Sequence, residues 1–198
     1  MRLLSRDALK IALARAEARL DCEVDLVLVG GGALLVLSPE AAATRDLDAL
    51  PTERFDALRK ALAESSDPAE PIDLNTASAA FETLLPGDWE ARVRASREFS
   101  TAHIRVLTPS PEDLAVMKLF RFAAKDAEDI ARLAALSGFD RDVFLTRFRE
   151  VLPTAIGDLH WHAQSFAMIW NRLYPDRRFE TEDILVERKR SVKQERKS

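Results

Sequence analysis

The spacing of hydrophobic and polar positions changes about halfway along the chain. Residues 6–20 place apolar side chains at helical spacing, and short apolar runs at 24–29 and 47–50 are typical of buried strands. Residues 89–107 alternate apolar and polar side chains, which predicts two antiparallel strands. After residue 107 only helical spacing recurs. The pattern therefore predicts an α+β fold whose second half is entirely helical.

This change in spacing divides the chain into three predicted regions. An α+β core spans residues 1–108, and a helical region spans 109–186, opening with the capping residue Ser110 and Pro111. Residues 187–198 contain six Lys or Arg and almost no apolar side chains, which predicts a disordered basic tail. In the last predicted helix, the residues expected to pack in the core are Trp161, Phe166, Met168, Ile169, Trp170 and Leu173.

Composition narrows the class of protein. The chain has 198 residues, a net charge of -4 and one cysteine, so no intrachain disulfide forms and a cytoplasmic location is expected. No apolar run approaches the length of a membrane span, and the amphipathic N-terminal segment carries acids, unlike a signal peptide. The small net charge argues against a dominant nucleic-acid footprint, although a local one stays open.

Three consecutive glycines, Gly30, Gly31 and Gly32, end the first predicted strand, and a helix is predicted from Ala33. Backbone N–H groups at the start of a helix carry partial positive charge and bind phosphate readily. Glycine also lets the backbone approach a ligand closely. A tight turn beneath a packed helix explains the same residues, so the glycines alone do not establish a site.

Acidic residues follow the glycines. Asp46 and Asp48 flank one leucine, sixteen residues after Gly30. On a strand their carboxylates face one side, where they repel each other unless a cation lies between them. Such oxygens suit Mg²⁺ together with phosphate oxygens, whereas a solvated strand end is the simpler explanation. Asp73 is a third acid, within a short apolar stretch, and either an edge-strand position or a metal site accounts for it.

A lysine is embedded in the first helix of the second half. Lys118 and Arg121 are three residues apart and share one face of that helix, and the next helix opens with Asp126 and Asp129. Local ion pairs between two amphipathic helices explain this pattern as well as a ligand site does.

Taken in order, these motifs resemble the minimal nucleotidyltransferases of the DNA-polymerase-β-like superfamily. Within it the chain is similar to the bacterial AbiEii-like branch, several members of which are toxins of toxin–antitoxin pairs. The resemblance covers about residues 24–136 and rests on V-G-G-G-A-L, T-R-D-L-D, I-D-L, D-L-A-V-M-K-L and K-D-A-E-D-I. It implies a nucleotidyltransferase-type mixed sheet with helices.

The resemblance also implies an activity. A nucleoside monophosphate would pass from a nucleoside triphosphate to a hydroxyl acceptor, with an antitoxin as a possible protein partner. An RNA end is the favoured acceptor, and a small-molecule or protein acceptor stays open. Asp46, Asp48 and Asp73 would be the catalytic acids and would hold two Mg²⁺ ions. Asp126 would orient the groups around them. The implied nucleotide-binding residues are Gly30, Gly31, Gly32, Thr44, Arg45, Lys118 and Arg121.

One position departs from the resemblance. Many members of the superfamily carry a serine at the glycine turn, where its hydroxyl contacts a phosphate, and this chain has glycine or alanine there. Backbone N–H groups can still bind phosphate without that hydroxyl. A protein that has lost catalysis and binds nucleotide, RNA or a protein partner is the alternative interpretation.

Overall fold

The structure is a computed structural model that describes residues 3–41, 43–44, 47–66, 72–77 and 84–185. Arg45, Asp46 and the predicted basic tail lie outside the described residues. The described part is an α+β fold with one five-stranded mixed sheet, followed by helices, which confirms the predicted fold class.

Helices and short strands alternate in the first half. In chain order they are α1 (Arg6–Glu17), β1 (Val24–Leu28), α2 (Gly30–Leu37), β2 (Leu47–Leu50), α3 (Phe55–Ser65), β3 (Leu74–Thr76), β4 (Arg94–Ala95) and β5 (Ile104–Thr108). A 3₁₀ turn at Trp89–Arg92 occupies most of the stretch whose alternation predicted a strand before β5. Arg92 donates back to the Asp88 carbonyl oxygen and to the Asp113 carboxylate, and these bonds stabilise a turn there. The predicted antiparallel pair is confirmed, with a shorter first strand.

The strand order across the sheet is β3-β2-β1-β5-β4. β1 runs parallel to β5 and antiparallel to β2, and β2 runs parallel to β3. Val27 of β1 lies opposite Leu50 on one side and Leu107 on the other, while Asp48 lies opposite Asn75. Because paired residues on neighbouring strands point to the same face, this register assigns every strand side chain to one of two faces.

The two faces of the sheet differ in what covers them. Helix α2 packs on the face that carries Leu28 and Leu47, where both side chains approach the backbone of Gly32. The opposite face is partly exposed, and we call it the open face. It carries Asp25, Val27, Asp48, Leu50, Asn75, Arg105 and Leu107. Polar side chains at both ends of this face flank an apolar middle.

The second half contains α4 (Pro111–Arg121), α5 (Asp126–Ala134), α6 (Arg141–Val151) and α7 (Leu159–Leu173). Ser110 caps α4 by accepting the Asp113 N–H, as its sequence predicts. Helix α4 is buried along nearly its whole length and packs against the other three helices. No described helix has the length and apolar character needed to cross a bilayer.

Aromatic side chains form the core of the helical half. The rings of Phe148 and Phe166 stack with centroids 4.2 Å apart, and Trp170 is fully buried beside Phe166. The prediction that Trp161 and Met168 also pack in the core is wrong, because their exposed fractions are 52% and 55%. The two residues are seven positions apart, so both lie on the outer side of α7, away from its buried stripe.

Candidate active site

Helix α2 begins at Gly30, three residues earlier than the sequence predicts. Gly30 has φ +58°, a left-handed conformation that favours glycine over every residue with a Cβ atom. The residue before it, Val29, provides no side-chain cap. The first N–H groups of α2 have no intrahelical acceptor, so this helix start presents backbone donors and partial positive charge.

The carboxylate of Asp48 lies beside this helix start. A Cβ atom on Gly30 would be 3.2 Å from Asp48 Oδ2. The backbone holds the two segments together, because the Val29 N–H donates to the Asp48 carbonyl oxygen at 2.9 Å. The structure therefore brings one acid of the D-L-D motif to the glycine turn.

Thr44 fills the space next to Gly31. A Cβ atom on Gly31 would be only 2.3 Å from Thr44 Oγ1, which is far closer than van der Waals contact allows. Thr44 is buried, and its backbone exchanges two hydrogen bonds with Leu4, at 2.7 and 3.0 Å. The Thr44 hydroxyl thus stands beside α2 where a side chain at position 31 would begin.

This contact predicts a penalty for any side chain at position 31. We expect Gly31→Ala to lower the free energy of unfolding by about 1–3 kcal/mol, the usual cost of overpacking, even though alanine favours a helix. Urea unfolding measures the change. Gly87→Ala is the matched control, since a Cβ atom there meets nothing within 4 Å. Adding Thr44→Ala should restore the lost stability, and equal stability of the two glycine variants would contradict the prediction.

Arg121, at the end of α4, is a positive charge of the helical half that is influenced by Asp48. Its guanidinium donates two hydrogen bonds to Asp126, at 3.1 and 2.6 Å. The pKa of Arg121 is raised chiefly by that hydrogen-bonded carboxylate, and the nearby charge of Asp48 raises it further. A fixed positive charge at the end of α4 therefore lies close to the acid at the start of α2.

Asp126 holds Arg121 in place. Burial by itself raises the pKa of Asp126, but hydrogen bonds from Arg121 and the Ala123 N–H, with the charge of Lys118, bring it below its usual range. The carboxylate is therefore ionised at neutral pH. This geometry agrees with the orienting role implied for Asp126, which stays a prediction.

Lys118 lies inside the protein. Its side chain is fully buried, with Nζ 2.8 Å from Asp129 Oδ2 and 3.5 Å from Asp126 Oδ1. The ammonium group thereby joins α4 to α5 through two carboxylates. These contacts form an internal ion-pair network. The implied contact of Lys118 with a phosphate stays a prediction.

The third acid and its neighbour lie on β3. Asp73 is exposed and directly precedes the strand, which begins at Leu74, two residues after the start of the I-D-L stretch. Asn75 lies opposite Asp48 on the open face and is also exposed. Asn75 is not among the predicted site residues. Its signal is the two-residue spacing from Asp73, which places an amide oxygen on the same face of an extended chain.

Asp48 and Asn75 lie opposite each other on β2 and β3. Their carboxylate and amide groups offer oxygen ligands, which suit Mg²⁺ better than a thiophilic metal. Within the described residues no three His, Cys, Asp or Glu side chains form a metal-binding cluster. Asp46, the other acid of the D-L-D motif, lies outside those residues. The prediction of two ions is therefore untested.

Comparison with known protein families gives a match over most of the chain. The model of a family described as nucleotidyltransferase of unknown function (DUF6036) matches residues 7–173, from α1 through α7. This range includes the glycine turn, the D-L-D motif, β3 and Arg121. No curated protein and no solved structure matches the chain.

Proposed function

The chain belongs to this nucleotidyltransferase family of unknown function, and from that membership we propose Mg²⁺-dependent transfer of a nucleoside monophosphate from a triphosphate to a hydroxyl group. One observation carries the proposal: the Asp48 carboxylate lies against the start of α2. A metal-binding acid and a phosphate-binding helix end are the two halves of a nucleotidyl-transfer site.

The residues beside α2 would bind the triphosphate. The backbone N–H groups of Gly30 and Gly31 lie at a positive helix end that Val29 does not cap, and Thr44 Oγ1 lies beside Gly31. Arg121 contributes a permanent positive charge that Asp126 orients. Thr44 would thereby take the place of the serine that many members of the superfamily carry at the turn.

The acids would act on the other side of the transferred phosphorus. Asp48 and Asp46 would hold Mg²⁺, with Asp73 and Asn75 on the adjacent strand. When bound, Mg²⁺ neutralises the charge that develops on the phosphate oxygens. Asp73 would accept the proton of the attacking hydroxyl. The acceptor oxygen then bonds to the α-phosphorus as the bond to the pyrophosphate oxygen breaks.

An RNA end is the acceptor that we propose, in a toxin or defence-type enzyme of AbiEii-like character with an antitoxin as partner. The motifs T-R-D-L-D and K-D-A-E-D-I support that branch. Six Lys or Arg within residues 187–198 supply a local positive charge that suits RNA, despite the net charge of -4.

A label-transfer assay tests the activity. Each α-labelled nucleoside triphosphate is incubated with the protein, Mg²⁺ and bulk tRNA, and transfer to RNA is followed by gel electrophoresis. We expect label to move from at least one triphosphate, with release of pyrophosphate, and excess EDTA to abolish it. Triphosphate binding without transfer to any RNA, protein or small-molecule acceptor would instead favour the catalytically inactive binding protein.

A further inference from the structure

An apolar cavity of about 240 Å³ lies on the open face of the sheet. Its floor is formed by one residue from each of the three central strands, Val27, Leu50 and Leu107. Trp89 and Val93, from the 3₁₀ turn and the residue after it, form one wall. The cavity therefore exists only because the turn covers the middle of the open face.

The cavity opens next to the proposed reaction centre. Leu50 and Asp48 are two residues apart on β2 and point to the same face, so their Cα atoms are separated by about 7 Å along the strand. The start of α2 lies on the far side of Asp48 from the cavity, because β1 runs from Val27 towards Gly30. Phosphate-binding groups, an acid and an apolar cavity thus follow one another along the sheet.

The walls of the cavity fit a flat heterocycle. Aliphatic side chains and an indole supply apolar surface, and stacking on such surfaces is a common way to bind a base. Polar atoms occur at the rim: the exposed Glu90 carboxylate, and the Thr52 oxygen, whose own proton is donated to the Asp25 carbonyl oxygen at 2.6 Å. Both oxygens accept hydrogen bonds, as the exocyclic amino and ring N–H groups of a base require.

Phosphate does not fit this cavity. Its lining, among the described residues, includes no lysine or arginine. The neighbouring depression on the open face is lined by Arg54 and Arg105, but also by Glu23, Asp25 and Glu53, and Arg105 donates two hydrogen bonds to Asp25, at 2.7 and 2.5 Å. Because acids outnumber arginines there, that depression is also a poor site for phosphate.

We propose that the cavity of Val27, Leu50, Leu107, Trp89 and Val93 binds a nucleobase adjacent to the transferred phosphate. This inference rests on the proposed nucleotidyl transfer. The base belongs either to the donor triphosphate or to the terminal nucleotide of the acceptor, and the test separates these two sources.

The first variant fills the cavity. Val93→Trp places an indole in it, and Val143→Trp makes the same exchange on the exposed surface of α6. If the donor base binds there, Val93→Trp weakens Mg²⁺–nucleoside triphosphate binding at least tenfold in calorimetry and leaves inorganic tripolyphosphate within twofold. If the acceptor base binds there, the KM for RNA rises at least tenfold, and an RNA ending in an abasic ribose shows no such rise.

Two further variants detect ligand binding in the cavity by tryptophan fluorescence, without filling the cavity. The chain has three tryptophans, of which Trp89 lines the cavity while Trp161 and Trp170 lie on α7. We expect the occupying ligand, triphosphate or RNA, to quench tryptophan fluorescence in Trp161→Phe and not in Trp89→Phe. This measurement decides the question if Val93→Trp does not fold, as judged by its thermal unfolding.

The outcomes separate the two proposals. Wild-type protein that transfers label, with a folded Val93→Trp variant unchanged in both affinity and KM, overturns the nucleobase subsite alone. Quenching that depends on Trp89, in protein that transfers no label, supports the subsite and overturns the transfer reaction.

Discussion

Asp48→Asn is expected to abolish most of the nucleotidyl transfer while the protein stays folded. The substitution keeps the shape of the side chain next to Gly30 and removes the negative charge that would hold Mg²⁺. Groups positioned to stabilise charge at a reacting centre commonly contribute about 10²–10³-fold to the rate. We therefore expect a fall of about that size in the turnover number, measured by label transfer at saturating triphosphate.

A matched variant controls for the loss of one surface charge. Asp56 is an exposed acid on α3, with 85% of its side chain accessible, and Asp56→Asn should transfer label at the wild-type rate. Thermal unfolding of Asp48→Asn should stay within a few degrees of wild type. If Asp48→Asn transferred label as fast as Asp56→Asn, the acid beside α2 would have no catalytic role and the site would be wrongly assigned.

Lys118→Met is expected to destabilise the protein more than any surface substitution. The change removes the ammonium group that lies between Asp126 and Asp129 and leaves two buried carboxylates with one positive partner fewer. Removing one member of a buried ion pair typically costs about 3–5 kcal/mol. Because Arg121 and Arg132 still contact the two acids, we expect a loss near 3 kcal/mol in the free energy of unfolding, measured in urea.

Two further variants separate structure from ligand binding at this position. Lys60→Met removes an exposed lysine on α3, with 78% of its side chain accessible, and should change stability by less than about 0.5 kcal/mol. Asp129→Leu added to Lys118→Met should recover part of the loss, because an apolar pair replaces a buried carboxylate that has lost one of its two cationic partners. A Lys118→Met protein of full stability that no longer binds tripolyphosphate would show that the lysine serves the phosphate site.

Local patterns predicted most of the helices and strands. They were wrong where an alternating pattern forms a 3₁₀ turn instead of a strand, and where a helix begins at a glycine. The helical spacing of residues 6–20 and the Ser110–Pro111 helix start both predicted helices that the structure contains. At Trp89–Arg92 the buried indole and the bonds of Arg92 maintain a 3₁₀ turn, although the alternation fits a strand. Helix α2 begins at Gly30, whose backbone is left-handed. Glycine adopts this conformation easily, but its low helix propensity predicts that the helix starts later.

At the candidate site, too, the sequence predicted some features and the tertiary structure decided others. The order of glycines and acids along the chain predicted a phosphate side and a metal side. Their meeting depends on the β1–β2 pairing, which places Asp48 beside Gly30, and the β2–β3 pairing places Asn75 opposite Asp48. Sequence spacing could not distinguish Lys118 as a ligand from Lys118 as a buried ion-pair partner, since both uses place a lysine on the same helix.

The sequence by itself determined the fold class and the helical second half, and it predicted candidate residues for binding phosphate or a metal. These follow from periodicity and side-chain chemistry, which act over a few neighbouring residues. Only the tertiary structure decided that the Thr44 hydroxyl occupies the space beside Gly31, that the charge of Asp48 acts on Arg121, and that Lys118 is enclosed by Asp126 and Asp129. Each of these contacts joins residues that are distant in the chain or on different helices, and their distances depend on how the sheet and helices pack.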